Sequence, residues 1–240
     1  MSRIDAVLEE LVTANRILAR EGIVDSFGHV SVRHPDNPQR FLLSRARAPE
    51  RIEADDIMEF TLEGEPVEPR DRKPYLERFI HGAIYEARSD VMSVVHNHSP
   101  SVIPFGVTDQ PLRPIVHMGA SIGHEVHTWD SQDKFGDTDL LVSNIEMGRD
   151  LAAFLGDGRT ALMRGHGCIA VGHDIRHAVF VAYYLETNAK LQKEAAALGN
   201  IKFLTAGEVD RILNRTASFT IDRAWENWCR RAGWEMAPRL

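Results

Sequence analysis

The chain has 240 residues, 43% of them hydrophobic, with a formal net charge of −7 and a pI near 5.9. That is enough apolar content for a sizeable core, and the acidic balance excludes the basic face a nucleic-acid partner would need. No run of about 18 apolar residues suggests a membrane span. The amphipathic, acidic N-terminus lacks the apolar heart of a signal peptide, so a cytoplasmic protein with neither membrane nor nucleic-acid partner is expected. Cys168 and Cys229 form no CxxC pair or disulfide framework and are expected to be reduced and buried.

Ile4, Val7, Leu8, Leu11, Val12, Ile17 and Leu18 recur at close to 3.6-residue spacing, which predicts a helix over 4–20 ending before Gly22. HVSVRHP and RFLLSR predict two strands joined through PDNP, and DIMEFTLEGEPV predicts a hairpin turning at Glu63–Gly64–Glu65. From Lys73 to Arg88, Leu76, Phe79, Ile80, Ala83, Ile84 and Ala87 predict a second amphipathic helix, with Glu77 bordering its apolar face. VMSVVHNH is apolar almost throughout, the mark of a strand buried on both faces. Residues 101–140, rich in Pro, Gly and His, predict ordered loops and short strands. A helix over 145–156 follows, then strand, glycine turn and strand in TALMRGHGCIAVG. A long helix is expected to stop at Gly199, a short one to begin near an N-cap at Thr205, and a terminal one to occupy RAWENWCRRAG. No repeat or Pro/Ser-rich boundary divides the chain, so 1–240 is expected to be one α/β domain with a helical tail from about 205.

Chemistry is suggested at three places. Side chains alternate across a strand, so His96 and His98 project to one side, about 6 to 7 Å apart along it. Such a pair can converge on a metal ion or simply make ordinary hydrogen bonds. His166 lies between Gly165 and Gly167, whose lack of Cβ permits a tight bend and close approach to another segment. It could supply a third imidazole, leaving the open coordination position a catalytic ion needs. Glu77 is the third, and alone it reads as a solvated helical glutamate.

Taken in order, KPYLERFIHGAIYEARSDV, VVHNHS and LMRGHGCIAVG resemble the class II aldolase/adducin family, over roughly residues 5–200. The resemblance implies a single three-layer α/β domain with a mainly antiparallel central sheet flanked by helices. It implies one divalent ion per subunit, Zn2+ or Mn2+ with Fe2+ as a further option, on His96, His98 and His166. Glu77 is then the catalytic residue, and a ligand when the ion is absent. A homotetramer or a multiple of it, with sites at subunit boundaries, is also implied.

The family's sugar-phosphate aldolases cradle phosphate with small, hydroxyl-bearing, glycine-rich segments. Here those places hold FGHVSVR, LLSRARAPE and PYLE. His29 stands for an asparagine, Arg45 to Pro49 for a Thr/Ser–Gly turn, and Tyr75–Leu76 for a serine pair. His29, Ser44, Arg45, Arg47 and Tyr75 are therefore expected to bind a flat carboxylated ring, since guanidinium forks pair bidentately with carboxylates. His117 falls 19 residues past His98, where the aldolases carry a tyrosine acid, and is expected to be a second catalytic, proton-donating group. His124, His127, His173 and His177 are expected to be structural. These departures, with RAWENWCRRAG and FGDTDLLV, resemble a branch that decarboxylates hydroxylated aromatic acids. The expectation is a lyase: a metal-dependent, non-oxidative decarboxylase of a hydroxylated aromatic (di)carboxylic acid, the metal acting as electron sink. The alternative is a class II aldolase working on a non-phosphorylated hydroxy-carbonyl substrate.

Overall fold

The computed structural model describes residues 2–216 and 218–233. The end of the expected tail, 234–240, lies outside the described residues. Helix α1 (Arg3–Arg20) starts at a capping box between Ser2 and Asp5 and buries Leu11, Ala14, Ile17 and Leu18 along one stripe. Strands β1 (His29–Arg33), β2 (Arg40–Ser44) and β3 (Ile57–Thr61) follow, then α2 (Arg78–Ala87) and β4 (Ser93–Asn97). Beyond them come β5 (Thr128–Trp129), the short α3 (Gln132–Phe135), α4 (Ile145–Leu155), β6 (Thr160–Met163) and β7 (Gly167–Gly172). The chain ends in α5 (Ile175–Leu198), α6 (Ala206–Arg215) and α7 (Ser218–Arg231).

The strands form one seven-stranded sheet in the order β3-β2-β1-β4-β7-β6-β5. Every pairing is antiparallel except that of β5 with β6. Alternation along the strands splits the core into two layers. Val30, Val32, Leu42, Val95 and Ala170 pack under α1, α5 and α7, with Phe180, Trp225 and Trp228. Phe41, Leu43, Val94, Ile169 and Val171 point the other way, onto Ile80 and Ile84 of α2 and Leu151 of α4. Strand β4, central in the order, is buried on both faces, as its apolar run requires. Each fully buried Leu, Ile or Phe contributes about 1.5–3 kcal/mol against its solvated state. Arg176 of α5 joins its helical layer by pairing with Glu10 of α1 at 2.5 Å and Asp222 of α7 at 2.7 Å.

Four expectations are corrected. Helix α2 begins at Arg78 rather than Lys73, because Pro74 holds the preceding chain extended, bridged to Arg45 beside β2. Glu77 therefore sits at the N-cap rather than within a helical turn. The predicted hairpin turns at Gly64 (φ 82°), but its return reduces to a bridge between Phe60 and Pro66, which has no N–H to continue a ladder. The terminal helix starts at Ser218, earlier than its tryptophan pattern suggests. Residues 101–126 are ordered as expected, but by side chains: Asn188 of α5 holds Arg113 O and the Ile115 amide, and Gln192 holds Pro111 O. Both cysteines are free and buried. Among the described residues no helix is long and apolar enough to cross a membrane.

Candidate metal centre and cavity

His96 is the last residue but one of β4, and His98 follows directly after the strand on the same side. His166 reaches them from the β6–β7 turn. That turn can press against β4 because residue 167 is glycine: a Cβ there would lie 2.2 Å from Asn97 O. The Nε2 atoms of His96 and His98 are 3.2 Å apart, and those of His98 and His166 3.1 Å. Glu77 Oε2 lies 3.4 Å from His96 Nε2 and 3.5 Å from His166 Nε2. One ligand atom from each of the four residues falls within 4.8 Å of every other.

The outer nitrogens determine what this convergence means. His96 Nδ1 faces Cys168 O at 3.1 Å, His166 Nδ1 faces Leu140 O at 2.9 Å, and His98 Nδ1 faces both Asp25 oxygens at 3.1 Å. Carbonyls and carboxylates only accept, so each Nδ1 must carry the proton. Each Nε2 is then a lone pair, and three lone pairs converge beside a carboxylate with no proton to share. A cation satisfies such a group; another hydrogen bond does not. Imidazole Nε2 donors with outer N–H groups held by carbonyls or a carboxylate are the arrangement metal-binding histidines adopt, and the donor set suits zinc, manganese or iron. The residues present thus fit a divalent ion.

The electrostatics agree. Burial, then His96, holds His166 down to about 4, and burial also lowers His98 despite the pull of Asp25. Burial would raise Glu77, but His96, His166 and the Val142 amide outweigh it and bring its carboxyl to about 2. The Val142 N–H fixes Glu77 Oε1 at 3.0 Å. One segment thus steadies two ligands: Leu140, held at φ 67° with its amide on Thr138 Oγ1, offers its carbonyl to His166, and Val142 grips Glu77. A positive φ on leucine costs about 1–2 kcal/mol, here at a place that orients ligands.

Beside the centre opens a cavity of about 730 Å3, lined by Phe27, His29, Arg47, Tyr75, Leu76, Glu77, His98, Leu141 and His166 among others. Phe27 and Leu76 are exposed apolar side chains, at 71% and 50%. Of the residues expected to bind substrate, His29, Arg47 and Tyr75 lie in this wall; Ser44 and Arg45 do not. Ser44 is fully buried at the end of β2. Asp56 takes Arg45 Nε at 2.5 Å and Arg47 Nη1 at 2.6 Å, and the pairing turns Arg45 to a structural use while leaving Arg47 at the cavity. Burial would raise Asp56, but Arg45, the Glu53 amide and Arg47 keep it below the ordinary carboxylate range. The Tyr75 hydroxyl donates to Arg47 O and fixes its ring against the loop.

His117, expected to be catalytic, also lies elsewhere. It starts a 3-10 turn (His117–Ile122) packed against α5 and α6, and lines a separate cavity with Arg211 and Arg215. Its Nδ1 faces Met118 Sδ at 3.2 Å. His124 pairs with Asp210 at 2.9 Å, His127 lies 3.9 Å from Glu125, and His173 stacks on His177 at the start of α5.

Two participants escape the sequence reading. Asp25, which orients His98, also takes the Phe27 and Gly28 amides at 2.8 and 3.1 Å. Its Asx-turn pattern was legible in DSFG, but the link to His98 was not. Asp56 is the other, since nothing local connects it with Arg45 and Arg47.

The fold is thus a three-layer α/β domain that presents three histidines and a glutamate to a cavity of about 730 Å3. The chain belongs to the class II aldolase/adducin family: residues 9–193 match the model for the Class II Aldolase and Adducin N-terminal domain. It is 35% identical to decarboxylase tropJ of Talaromyces stipitatus, across 91% of both chains. It is 28% identical to the 3,4-dihydroxyphthalate decarboxylase of Arthrobacter keyseri, again over 91% of each. Among solved structures, an aldolase II superfamily protein from Pseudomonas syringae superposes with a TM-score of 0.78 at 23% identity, over 95% of this chain and 92% of that one. The L-fuculose 1-phosphate aldolase of Glaciozyma antarctica gives 0.76 at 23%, over 95% and 90%. These two share the fold. The protein is a lyase, with a decarboxylase or an aldolase role.

Proposed function

We propose that the protein is a divalent-metal-dependent, non-oxidative decarboxylase of a hydroxylated aromatic carboxylic or dicarboxylic acid. The observation that carries the metal requirement is the meeting of three proton-free Nε2 atoms beside Glu77. The aromatic acid is supported by the cavity wall, where Phe27, Tyr75, Leu76 and Leu141 offer flat apolar surface beside one guanidinium. The decarboxylase names of the two relatives point the same way.

His96, His98 and His166 would hold a divalent ion, which would supply Lewis acidity for the electron pair left when the carbon–carbon bond breaks. The chain's own groups do the rest. Arg47 spends one nitrogen on Asp56 and keeps the remaining N–H groups for a substrate carboxylate. Tyr75 and Leu76 hold the ring plane. The ring carbon gains one proton from solvent as CO2 leaves; Glu77, ionised and with Oε2 turned to the centre, is the group this chain places there to take that proton from water and pass it on. His117 opens on a different cavity, so a part for it requires a second copy packed across the mouth, as in the homotetramer or higher multiple we propose.

The test is CO2 release from a panel of mono- and dicarboxylated hydroxy-aromatic acids, with metal content measured on the same samples. His98→Ala should lose both bound metal and turnover; a fully active, metal-free variant refutes the scheme. Aldehyde release from non-phosphorylated hydroxy-carbonyl compounds, without CO2 from any aromatic acid, would establish the aldolase alternative.

A further inference from the structure

A chain of buried polar groups runs from the cavity wall into the protein, and the reaction above does not use it. His29 and Ser31 share a face of β1 because they are two apart; His81 and Tyr85 share a face of α2 because they are four apart. The two faces mesh. His29 Nδ1 meets His81 Nε2 at 2.7 Å, His81 Nδ1 meets Ser31 Oγ at 2.6 Å, and Ser31 Oγ meets the Tyr85 hydroxyl at 2.7 Å. All four residues are at most 1% exposed.

Such a chain has two proton orders. With protons pointing inward, His29 donates to His81, His81 to Ser31 and Ser31 to Tyr85, and the Tyr85 proton needs a further acceptor. The groups facing that oxygen are Ser31 and the Val94 amide, both then donors. With protons pointing outward, Tyr85 donates to Ser31, Ser31 to His81 and His81 to His29, so every proton inside the chain has an acceptor and only the His29 Nε2 proton is left, at the cavity. A buried proton left unmatched costs about 1–3 kcal/mol, which selects the outward order. Burial without an ion pair keeps both imidazoles neutral. His29 then carries its proton on Nε2, the nitrogen not taken by His81, in the cavity wall. Its ring is fixed between Tyr75 at 4.5 Å and its strand partner His96 at 5.0 Å, which sets the ring beside the candidate metal centre.

We propose that His29 donates a hydrogen bond from Nε2–H to an anionic oxygen of the substrate, with His81, Ser31 and Tyr85 as positioning residues that fix its tautomer. The identity of that oxygen as belonging to an aromatic acid rests on the proposed function; the tautomer does not.

The tautomer can be read directly. In zinc-supplemented protein labelled with 15N at histidine, and with His29→Gln assigning the signal, His29 is expected to be protonated at Nε2. A proton on Nδ1 overturns the assignment. Binding of 3,4-dihydroxybenzoate tests the consequence. His81→Leu removes the donor to His29 Nδ1 and should weaken binding by about tenfold to a hundredfold, the range for a hydrogen bond to a charged group. His81→Gln, whose amide can replace that donor, should restore most of the loss, with metal content unchanged in both variants. Equal losses in the two variants, or none in His81→Leu, overturn the relay. Absence of CO2 from every aromatic acid, with the Nε2 tautomer intact, refutes the decarboxylase reading alone.

Discussion

Replacing Asp25 with alanine tests whether the convergence of imidazoles is a metal centre supported from outside. Both Asp25 oxygens lie 3.1 Å from His98 Nδ1, and the same carboxylate takes two loop amides. Burial would raise Asp25, but the Phe27 amide, His98 and the Gly28 amide hold it below the ordinary carboxylate range, so it is charged at neutral pH. A hydrogen bond to a charged group contributes about 1.5–3 kcal/mol. Loss of an outer partner of a metal-bound histidine costs about 10–100-fold in affinity or activity, which is about 1.4–2.7 kcal/mol. The two ranges overlap, and the side chain's 49% exposure places the effect toward the weaker end through solvent screening. Asp25→Ala should therefore bind zinc about tenfold more weakly, measured against a competing chelator at neutral pH. Asp25→Asn keeps an acceptor without the charge and should fall between. Wild-type zinc affinity in the alanine variant would refute the role assigned to Asp25 and weaken the tautomer argument built on it.

Other expectations follow from single features. Gly167→Ala would set a Cβ 2.2 Å from Asn97 O, backbone that cannot step aside, so the melting temperature and bound metal should fall together; the loss is at least the ~1–3 kcal/mol of an overpacked core. Phe27→Ala alters an exposed side chain, so stability to urea should shift by no more than about 0.5 kcal/mol, while affinity for an aromatic acid should drop by the ~0.5–1.5 kcal/mol of a lost aromatic pair. Arg47→Met should raise KM for dicarboxylated rings more than for monocarboxylated ones, because Arg47 is the guanidinium in the cavity wall. His81 and His177 are both held down to about 3 from 6.5, by burial first and then by neighbouring histidines. Between those values the unfolded chain binds more protons than the folded one, so this contribution is complete above pH 6.5 and is lost as pH falls toward 3. Urea midpoints that stay constant across that window would contradict the buried, neutral state of both rings.

Helices α1, α4 and α5 and the central strand were legible because apolar spacing is a local property that burial then enforces. The three histidines and Glu77 were legible because they stand in short motifs. Where the reading slipped, a distant contact outweighed a local signal. Glu77 lies in an apolar helical pattern, yet the bridge from Pro74 to Arg45 keeps its segment out of the helix. Arg45 and Arg47 looked equivalent, yet Asp56 divides their tasks. His117 followed the HxH motif at a suggestive interval, but its loop is tied to α5 by Asn188 and faces another cavity.

By itself the sequence determined the order of helices and strands, the two-faced burial of the central strand and which imidazoles are candidates for a metal. Periodicity and motif act over a few residues, so they survive in one dimension. Only the tertiary structure decided the proton on each imidazole and hence the reason a cation belongs between them. Those protons are set by Asp25, Cys168 O and Leu140 O, which lie 73, 72 and 26 residues from the rings they orient, and that pairing exists only once the sheet has closed.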